Sequence, residues 1–379
     1  MKVQPFKLEE WFAKYEFSAP YQMCNSDCES MTIEELLSFE EGAKEDFLKQ
    51  KLGYTEVKGN PKLREEIAKL YTHLTSEDIL VDAGGEGPIF NFMNAVLSSG
   101  DHVIVQSPTY ESLYKVPLAL GCEVSKWESS MKDAWELDLN TVKKKIKKNT
   151  KVIVLNLPNN PTVYLATKEK LQEIIDIAKQ RGIIVFCDEV YRMLEYDEKD
   201  RLPAVCDMYE NGVSLGVMSK AFGLPGLRIG WLATRNKELI DRVANFKLYN
   251  TICSSGPSEY LSTVALRHNK EIIQRNLEII GNNLQVLDAF FARHPQLFTW
   301  QKPKAGPIAF PEINFPQGAE AFSHELVENE GILIAPGTVF EAGDKNIRIG
   351  FGRKNLPECI PRLDKFLNNL GETSSCHNH

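Results

Sequence analysis

The sequence predicts an α/β protein with a mostly parallel central sheet and a second, smaller α+β domain, and three observations indicate it. The chain has 379 residues, which is more than one compact core usually holds, so about two domains are expected. From about residue 79, short apolar segments alternate with amphipathic ones, as strands alternate with helices. Several apolar segments are unbroken runs of Val and Ile, which indicates strands covered on both faces.

The alternating part begins with a strand at 79–81, which leads through Gly84 and Gly85 into a helix through Phe90 and Leu97. A second helix is predicted over 167–180, because Leu171, Ile174 and Ile175 lie on one stripe. The other predicted strands are 102–105, 151–155, 183–187, 214–218 and 228–233.

The pattern changes after about residue 256. A long helix is predicted over 271–293, followed by a proline-rich stretch with short strands and a final helix near 361–370. We therefore expect an N-terminal arm over 1–44 that joins the small domain. We expect a large domain over 45–270 and a small domain over 271–379.

Composition excludes several classes of protein. The 44 basic and 52 acidic residues give a net charge of −8, which argues against a nucleic-acid-binding protein. No apolar run is long enough to cross a membrane, and residues 1–5 do not resemble a signal peptide. The eight cysteines have no metal-site spacing, and the Cys376–His379 tail is interpreted as a frayed terminus, so no metal is expected. A cytoplasmic enzyme with reduced thiols is predicted.

Seven segments in order carry a specific resemblance. They resemble the fold-type-I pyridoxal-phosphate (PLP) enzymes of the aminotransferase class I/II family, from Tyr54 to the C-terminal domain. The segments are Tyr54-x4-Gly59-x3-Leu63-Arg64, Ala83-Gly84-Gly85-Glu86, Pro108-Thr109-Tyr110, Asn156-Leu157-Pro158-Asn159-Asn160-Pro161-Thr162, Asp188-Glu189-Val190-Tyr191, Ser219-Lys220-x7-Arg228-Ile229-Gly230-Trp231 and Arg348-Ile349-Gly350-Phe351.

The resemblance implies that Lys220 is the catalytic lysine, whose amine forms a Schiff base with PLP and later carries a proton. Lys220 follows an apolar strand and precedes a Gly-rich turn, so partial desolvation of its ammonium is expected. Arg228, eight residues after Lys220, resembles the arginine of the family that binds the cofactor phosphate. Ser219, which directly precedes Lys220, is implied to bind the cofactor as well.

Residues around the cofactor ring are implied in the same way. Asp188 ends a buried strand at the sheet edge where α/β folds bind ligands, and its carboxylate would keep the pyridine nitrogen protonated. The alternative for Asp188 is a helix cap. Tyr191 and Asn160 resemble the donors to the ring's phenolate oxygen, and Tyr110 resembles the residue stacked on the ring.

The phosphate and the substrate have further implied partners. Gly84, Gly85 and Glu86 lie between a strand and a helix, where exposed backbone N–H groups bind phosphate. Tyr54 resembles the tyrosine that reaches the neighbouring subunit's phosphate, which implies a homodimer. Arg348 resembles the arginine that binds the substrate α-carboxylate, with a surface salt bridge as the alternative.

Two positions depart from the family pattern. Val163 stands where a glycine usually follows Asn-Pro-Thr, and Val217 stands where a hydroxyl residue usually helps to hold the phosphate. Ser219 is expected to replace the missing hydroxyl in part. Neither departure removes a residue that PLP chemistry requires.

The arm suggests which PLP reaction is catalysed. It is similar to the arm of capreomycidine-synthase-type enzymes, which cyclise a hydroxylated arginine, and its carboxylates Glu9, Asp27 and Glu29 could pair with a guanidinium. The alternative for these carboxylates is a solvated surface. The resulting hypothesis is a cyclase on hydroxy-L-arginine, with the γ-hydroxy isomer (enduracididine-like product) favoured over the β-hydroxy isomer (capreomycidine-like product).

Two other functions stay open at this point. The first is an aminotransferase that moves an amino group from an L-amino acid to a 2-oxo acid. The second is a PLP-binding regulator without catalysis, which is disfavoured because only about fifty residues precede Tyr54.

Overall fold

The structure is a computed structural model that describes the backbone of residues 1–375 and the side chains of residues 1–370. The predicted frayed tail with Cys376 lies outside the described residues. No helix within residues 1–375 is both long enough and apolar enough to cross a membrane.

The described part of the chain contains strands and helices in the following order. The strands are β1 (Tyr21–Gln22), β2 (Ile79–Ala83), β3 (His102–Ser107), β4 (Glu123–Glu128), β5 (Thr150–Asn156), β6 (Ile184–Asp188), β7 (Gly212–Val217), β8 (Ile229–Ala233), β9 (Phe298–Thr299), β10 (Ile308–Ala309), β11 (Glu312–Ile313), β12 (Ile332–Leu333), β13 (Ala335–Pro336) and β14 (Ile347–Gly350). The helices are α1 (Lys7–Tyr15), α2 (Ile33–Leu37), α3 (Ala43–Leu48), α4 (Pro61–Ala68), α5 (Glu86–Val96), α6 (Ser112–Ala119), α7 (Leu139–Lys145), α8 (Lys168–Lys179), α9 (Val205–Met208), α10 (Lys237–Lys247), α11 (Gly256–Arg267), α12 (Asn269–Arg293), α13 (Gly318–Glu330) and α14 (Leu356–Ser375).

Seven strands form the central sheet, in the order β2-β8-β7-β6-β5-β3-β4. β8 runs antiparallel to both of its neighbours, and the remaining pairings are parallel. The predicted mostly parallel sheet is therefore confirmed. The carboxyl ends of β5, β6 and β7 lie side by side, since Asn156 pairs with Asp188 and Asp188 pairs with Leu215.

Both faces of this sheet are buried, which explains the unbroken Val/Ile runs. On one face Val105, Val154 and Phe186 pack with Phe92 of α5 and Val243 of α10. On the other face, strand residues pack against α8, whose Leu171, Ile174 and Ile175 form the predicted apolar stripe. The Thr167 side chain caps α8 by accepting from the Lys170 N–H at 3.2 Å.

The edge strand β4 is absent from the sequence-based prediction. Its side chains are mostly half-buried or exposed, and Trp127 is the buried exception. An edge strand that carries charges lacks the apolar signal of the inner strands. The last helix also begins earlier than predicted, at Leu356, because Pro357 lies in its first turn, where a missing N–H costs little.

The N-terminal segment 1–44, here called the arm, packs against the C-terminal part of the chain. β1 pairs in parallel with β12, and the Trp11 indole donates to the Ile334 carbonyl at 2.9 Å. Tyr15 hydrogen-bonds His324 at 3.0 Å. These contacts fix the arm to the C-terminal part of the chain.

Candidate active site

A cavity of about 520 Å³ lies between the carboxyl edge of the central sheet and the arm. This is the edge where open α/β sheets bind ligands. Most of the residues predicted for the site line this cavity: Glu9, Asp27, Gly85, Glu86, Tyr110, Asn160, Asp188, Tyr191, Ser219, Lys220 and Arg228. Four predicted residues do not line it: Glu29, Gly84, Tyr54 and Arg348.

Lys220 lies in the loop that follows β7, and its Nζ is 2.8 Å from the Ser26 hydroxyl of the arm. Burial lowers the pKa of the Lys220 amine, although the carboxylates of Asp27, Glu9 and Asp188 oppose that shift. A lowered pKa makes the amine available as the neutral nucleophile that Schiff-base chemistry requires.

Asp188 is the last residue of β6 and is almost completely buried. The Val190 N–H donates to its Oδ1 at 3.1 Å. Burial raises the pKa of Asp188 to about 7, with the Val190 N–H and the Lys220 amine acting against this rise. A buried carboxyl of this kind stabilises a cationic nitrogen beside it, as a protonated pyridine ring would provide.

The predicted phosphate end of the cavity lies at the first turn of α5, where Gly85 and Glu86 line it. Its leading N–H groups have no acceptor inside the helix. Gly84 has φ +58°, and a Cβ there would collide with the Arg228 guanidinium, so glycine permits their close approach. Arg228 is exposed, donates to the Pro225 carbonyl at 3.1 Å and forms no ion pair with the described residues. An unpaired guanidinium, helix N–H groups and the Ser219 hydroxyl fit a phosphate dianion.

Glu86 and Tyr110 form a polar wall beside that end. The Ser112 hydroxyl donates to Glu86 at 2.6 Å, and the Tyr110 hydroxyl donates to Glu9 at 3.3 Å. Burial raises the pKa of Glu86, which favours its neutral form next to an anion. The Tyr110 ring packs against the arm residue Phe6, with centroids 5.2 Å apart.

Tyr191, Asn160 and Arg348 are connected to the arm through hydrogen bonds. The Tyr191 hydroxyl donates to the Ser26 carbonyl at 3.1 Å. Arg348 is completely buried and donates to Asn160 Oδ1 at 2.9 Å and to the Cys24 carbonyl at 2.8 Å. Its Nε has no partner within the described structure. Arg348 thus lies directly behind Asn160, and its expected contact with a substrate carboxylate stays a prediction.

The arm carboxylates occupy different environments. Asp27 lines the cavity, but Arg353 donates to both of its oxygens, at 3.0 and 2.9 Å. Glu29 accepts from the Lys354 N–H and does not line the cavity. Glu9 and Glu16 both line it, and neither forms an ion pair within residues 1–370. Burial raises the pKa of Glu16, while Arg353 opposes the rise.

Tyr54 lies on the surface with 90% of its area exposed. Leu52 is 89% exposed nearby, and the Thr55 hydroxyl bonds the Ser254 carbonyl at 3.3 Å. Segment 52–55 therefore adjoins segment 249–254, where Tyr249 is also exposed. The implied role of Tyr54 in a neighbouring subunit stays a prediction.

The two departures from the family pattern have distinct settings. Val163 has φ +55°, a backbone conformation that is unfavourable for a β-branched residue and that glycine adopts freely. Val217 is the last residue of β7, is buried, and lines the cavity without offering a hydroxyl.

Three residues of the site were missed from sequence: Glu16, Ser26 and Arg353. Ser26 precedes the predicted Asp27, but a lone serine carries no sequence signal for this role. Glu16 and Arg353 lie outside the family motifs. The folded path of the arm brings Glu16 and Ser26 to the cavity, and Arg353, which follows β14, reaches the site through its ion pair with Asp27.

Comparison of the sequence with known protein families identifies the family of this chain. Residues 39–360 match the family described as aminotransferase class I and II. The chain therefore belongs to that family, and its cofactor is pyridoxal 5'-phosphate, as predicted. The predicted fold type is confirmed as well.

Individual relatives carry two kinds of name. A probable aspartate aminotransferase of Methanocaldococcus jannaschii is 26% identical over 88% of this chain and 91% of its own length. A capreomycidine synthase of Streptomyces vinaceus is 25% identical over 98% of this chain and 94% of its own.

Solved structures divide in the same way. A PLP-dependent aminotransferase from Streptococcus suis is 32% identical with a TM-score of 0.92, covering 97% of this chain and 99% of that one. The PLP-dependent cyclase OrfR is 26% identical with a TM-score of 0.87, covering 97% and 98%. This chain is therefore similar to transferases and to cyclases.

Proposed function

We propose that this member of the family is a cyclase that converts a hydroxy-L-arginine, with the γ-hydroxy isomer favoured, into a cyclic guanidino amino acid. The observation that carries the proposal is the pair Glu9 and Glu16, which line the arm side of the cavity and form no ion pair among residues 1–370; their side-chain hydrogen-bond partners are the Tyr110 hydroxyl and the Asn25 amide. Unpaired carboxylates at a partly desolvated site favour a guanidinium, which can bind them in bidentate fashion.

These carboxylates line the same cavity as Lys220 and Asp188. Lys220 and Asp188 lie on the sheet side of the cavity, and Glu9 and Glu16 lie on the helix of the arm and just beyond it. An amino acid with its Cα near Lys220 would extend its side chain toward the arm. Asp27 is less suited to the guanidinium, because Arg353 already occupies both of its oxygens.

The chain supplies residues for each task of the chemistry. When bound, PLP draws electrons from the bonds at Cα of an amino acid joined to it. Lys220 would take the proton from Cα, and Asp188 would hold the proton on the pyridine nitrogen. Asn160 and Tyr191 would orient the cofactor ring, while Arg348, directly behind Asn160, would orient the substrate carboxylate.

The overall reaction loses one water and needs no oxidant or second substrate. The bond between the side-chain carbon and its hydroxyl oxygen breaks, and a guanidine nitrogen forms a new bond to that carbon and loses a proton. Closure at Cγ gives a five-membered ring, and closure at Cβ gives a six-membered ring. The γ route also needs a proton removed from Cβ and later returned, for which Lys220 and Glu9 are the candidates.

The names of two relatives support a cyclase. The capreomycidine synthase matches 98% of this chain, so almost all of the arm falls within the match. OrfR, described as a PLP-dependent cyclase, covers 97% of the chain.

An aminotransferase is the second candidate, and the 32% identical Streptococcus suis protein favours it. That function requires a 2-oxo acid as second substrate. Aspartate and glutamate fit this cavity poorly, because their distal carboxylate would face Glu9 and Glu16 rather than a free cation.

We further propose that the protein acts as a homodimer. Leu52, Tyr54 and Tyr249 expose large apolar side chains on adjoining segments, as an interface would require. A second copy seated there would cover them and bring its own Tyr54 toward the phosphate end of the cavity. Mixing inactive Lys220→Ala with Tyr54→Phe protein should restore part of the activity, since only the hybrid dimer holds one intact site.

The decisive experiment uses purified holoenzyme with β- and γ-hydroxy-L-arginine and no oxo acid, followed by mass spectrometry. A product that has lost one water and retained its α-amino group supports the cyclase. Turnover that appears only after a 2-oxo acid is added, and that yields the matching amino acid, would establish the aminotransferase instead. Lys220→Ala protein serves as the control for non-enzymatic dehydration.

A further inference from the structure

Ser26 lies at the point where the arm meets the catalytic lysine. Its hydroxyl is 2.8 Å from Lys220 Nζ, and no other hydrogen bond or ion pair of that amine occurs within residues 1–370. Asp27, Glu9 and Asp188 influence the amine from further away without pairing with it. The hydroxyl is therefore the one group of the protein that fixes the direction of the amine in the described structure.

The backbone of Ser26 is held from two sides. The Tyr191 hydroxyl, from the sheet side, donates to the Ser26 carbonyl at 3.1 Å. The next residue, Asp27, is clamped by Arg353, which follows β14. A serine held in this way can aim its hydroxyl with little freedom of its own.

The segment around Ser26 also packs closely on its neighbours. The Gly350 N–H donates to the Met23 carbonyl at 2.7 Å, and a Cβ at Gly350 would collide with the Asn25 carbonyl. In the loop that carries Lys220, Gly223 has φ +67°, and a Cβ there would come within 2.8 Å of the Glu29 carbonyl. The arm therefore packs closely against the loop that carries Lys220, and a larger residue at Gly223 would force the two apart.

We propose that Ser26 is a positioning residue, whose hydroxyl holds the Lys220 amine in line with the substrate Cα once that amine is free of the cofactor. A lysine side chain has several freely rotating bonds and loses considerable entropy when it is fixed. A hydroxyl can both accept from an ammonium and donate to a neutral amine, so Ser26 serves Lys220 before and after it takes a proton. The proposal depends on Lys220 being the PLP lysine and not on cyclisation.

The first test follows removal of the Cα proton, which both candidate reactions share. Holoenzyme is incubated with Cα-deuterated L-arginine, and release of deuterium into water is measured. Ser26→Ala should lower the maximal exchange rate about 10- to 100-fold with little change in KM, because a displaced proton-transfer group slows the step more than it weakens binding. Ser26→Thr retains a hydroxyl and should keep most of the rate. Ser30→Ala, an exposed serine of the same arm, should match the wild type.

The second test uses cofactor-free protein and no substrate. The pKa of the Lys220 amine is obtained from the pH dependence of its carbamylation by cyanate, with peptide mass spectrometry. A hydrogen bond to the ammonium is stronger than one to the neutral amine, so Ser26→Ala should lower this pKa by about half a unit to one unit. The charged groups that face the amine are unchanged in the variant: Glu9, Glu16, Asp27, Asp188 and Arg348.

The outcomes separate this proposal from the proposed function. An unchanged exchange rate and an unchanged amine pKa in Ser26→Ala would overturn the role of Ser26, whatever the product of the enzyme is. Equal losses in Ser26→Ala and Ser26→Thr, with a raised KM, would show that the residue only shapes the arm. Absence of cyclised product with normal exchange would overturn the cyclase and leave Ser26 in place.

Discussion

The two walls of the cavity are built in different ways. The sheet wall comprises Gly85, Asp188, Ser219, Lys220 and Arg228, which lie at or close to the ends of hydrogen-bonded strands. The arm wall comprises Phe6, Glu9, Phe12, Glu16, Ser26 and Asp27, which lie in or near α1 and the two-residue strand β1. The sheet wall is positioned by ladders and a buried core, and the arm wall by individual polar contacts.

This difference divides the chemistry between the walls. The groups that PLP needs, a lysine, an acid and a phosphate site, are all on the sheet wall. The carboxylates proposed to select the substrate are on the arm wall. We therefore propose that the sheet wall supplies the PLP chemistry and that the arm selects the amino acid that undergoes it. Changes in the two walls should have different consequences, which the following predictions test.

The largest effect is expected at Lys220. Lys220→Ala should abolish the yellow Schiff-base absorbance of the holoenzyme and lower Cα-proton exchange at least about 10³-fold, because the nucleophile and the base are both lost. Lys151→Ala, a substitution of an exposed lysine, provides the control. If the alanine variant at 220 keeps the absorbance, another lysine holds the cofactor.

Asp188 should make the stability of the cofactor-free protein depend on pH. Its pKa of about 7 in the folded protein lies above the usual value near 4, so the protonated carboxyl favours folding at low pH. That contribution is lost as the pH rises from about 4 to about 7. Over this range the free energy of unfolding of the wild-type protein should fall by about 2–4 kcal/mol relative to that of Asp188→Asn. The difference between the unfolding temperatures of the two proteins should change accordingly with pH. A gap that does not vary with pH would mean that Asp188 is ionised throughout.

Arg228 tests the phosphate end of the sheet wall. Removing a charge-assisted contact to the phosphate should cost about 1.5–3 kcal/mol, so Arg228→Gln should raise the Kd for PLP about 10- to 100-fold. An absorbance titration of cofactor-free protein measures this. Arg242→Gln, which alters an arginine bonded to the Ala95 carbonyl, should leave the Kd unchanged. An equal loss in both variants would point to general destabilisation.

The sheet wall was also the wall that sequence could predict. Short apolar segments predict the strands that end at Asp188 and before Lys220, and parallel strands bring their carboxyl ends to one edge. The motif residues at the ends of these strands could then be assigned without knowing which distant residues they contact. Ser26 could not be assigned in this way, because its place depends on contacts with Tyr191 and Lys220, which are more than 150 positions away.

Asp27 is a residue whose partner could not be predicted from sequence. Its acidic side chain and its place in the arm suggested a guanidinium partner from the substrate. The guanidinium it binds in the structure is that of Arg353, 326 positions away in sequence. An ion pair across such a separation leaves no local pattern, so sequence alone cannot distinguish a free carboxylate from a paired one.

The arm wall should control selectivity without affecting cofactor binding. Glu9→Gln and Glu16→Gln should each raise KM for guanidino substrates roughly tenfold, since a charged acceptor is lost at a partly exposed site. KM for alanine should stay within about twofold. Asp27→Asn should affect all substrates alike, because it releases Arg353 and loosens the arm. If the glutamine variants weaken arginine and alanine equally, the two carboxylates do not form a guanidinium site.

The smallest effect is expected where the arm begins. Glu341 accepts from Lys115 at 2.9 Å and Lys126 at 2.7 Å and pairs with Lys7 of α1 at 3.5 Å. Burial alone would raise the pKa of Glu341, but Lys126 and Lys115 lower it to about 2. Its stabilising contribution is thus complete above about pH 4.5 and is lost as the pH falls toward 2.

Glu341→Gln should therefore lower the free energy of unfolding by about 0.5–1 kcal/mol at pH 7, since solvent screens much of the network. The loss should shrink at pH 3 and in high salt. Hydrogen exchange should quicken in α1 and not in β6 or β7, because only the arm depends on the Lys7 contact. A loss of equal size at pH 3 and pH 7 would mean that Glu341 acts through packing, and faster exchange in the central strands would mean that the two walls are not held independently.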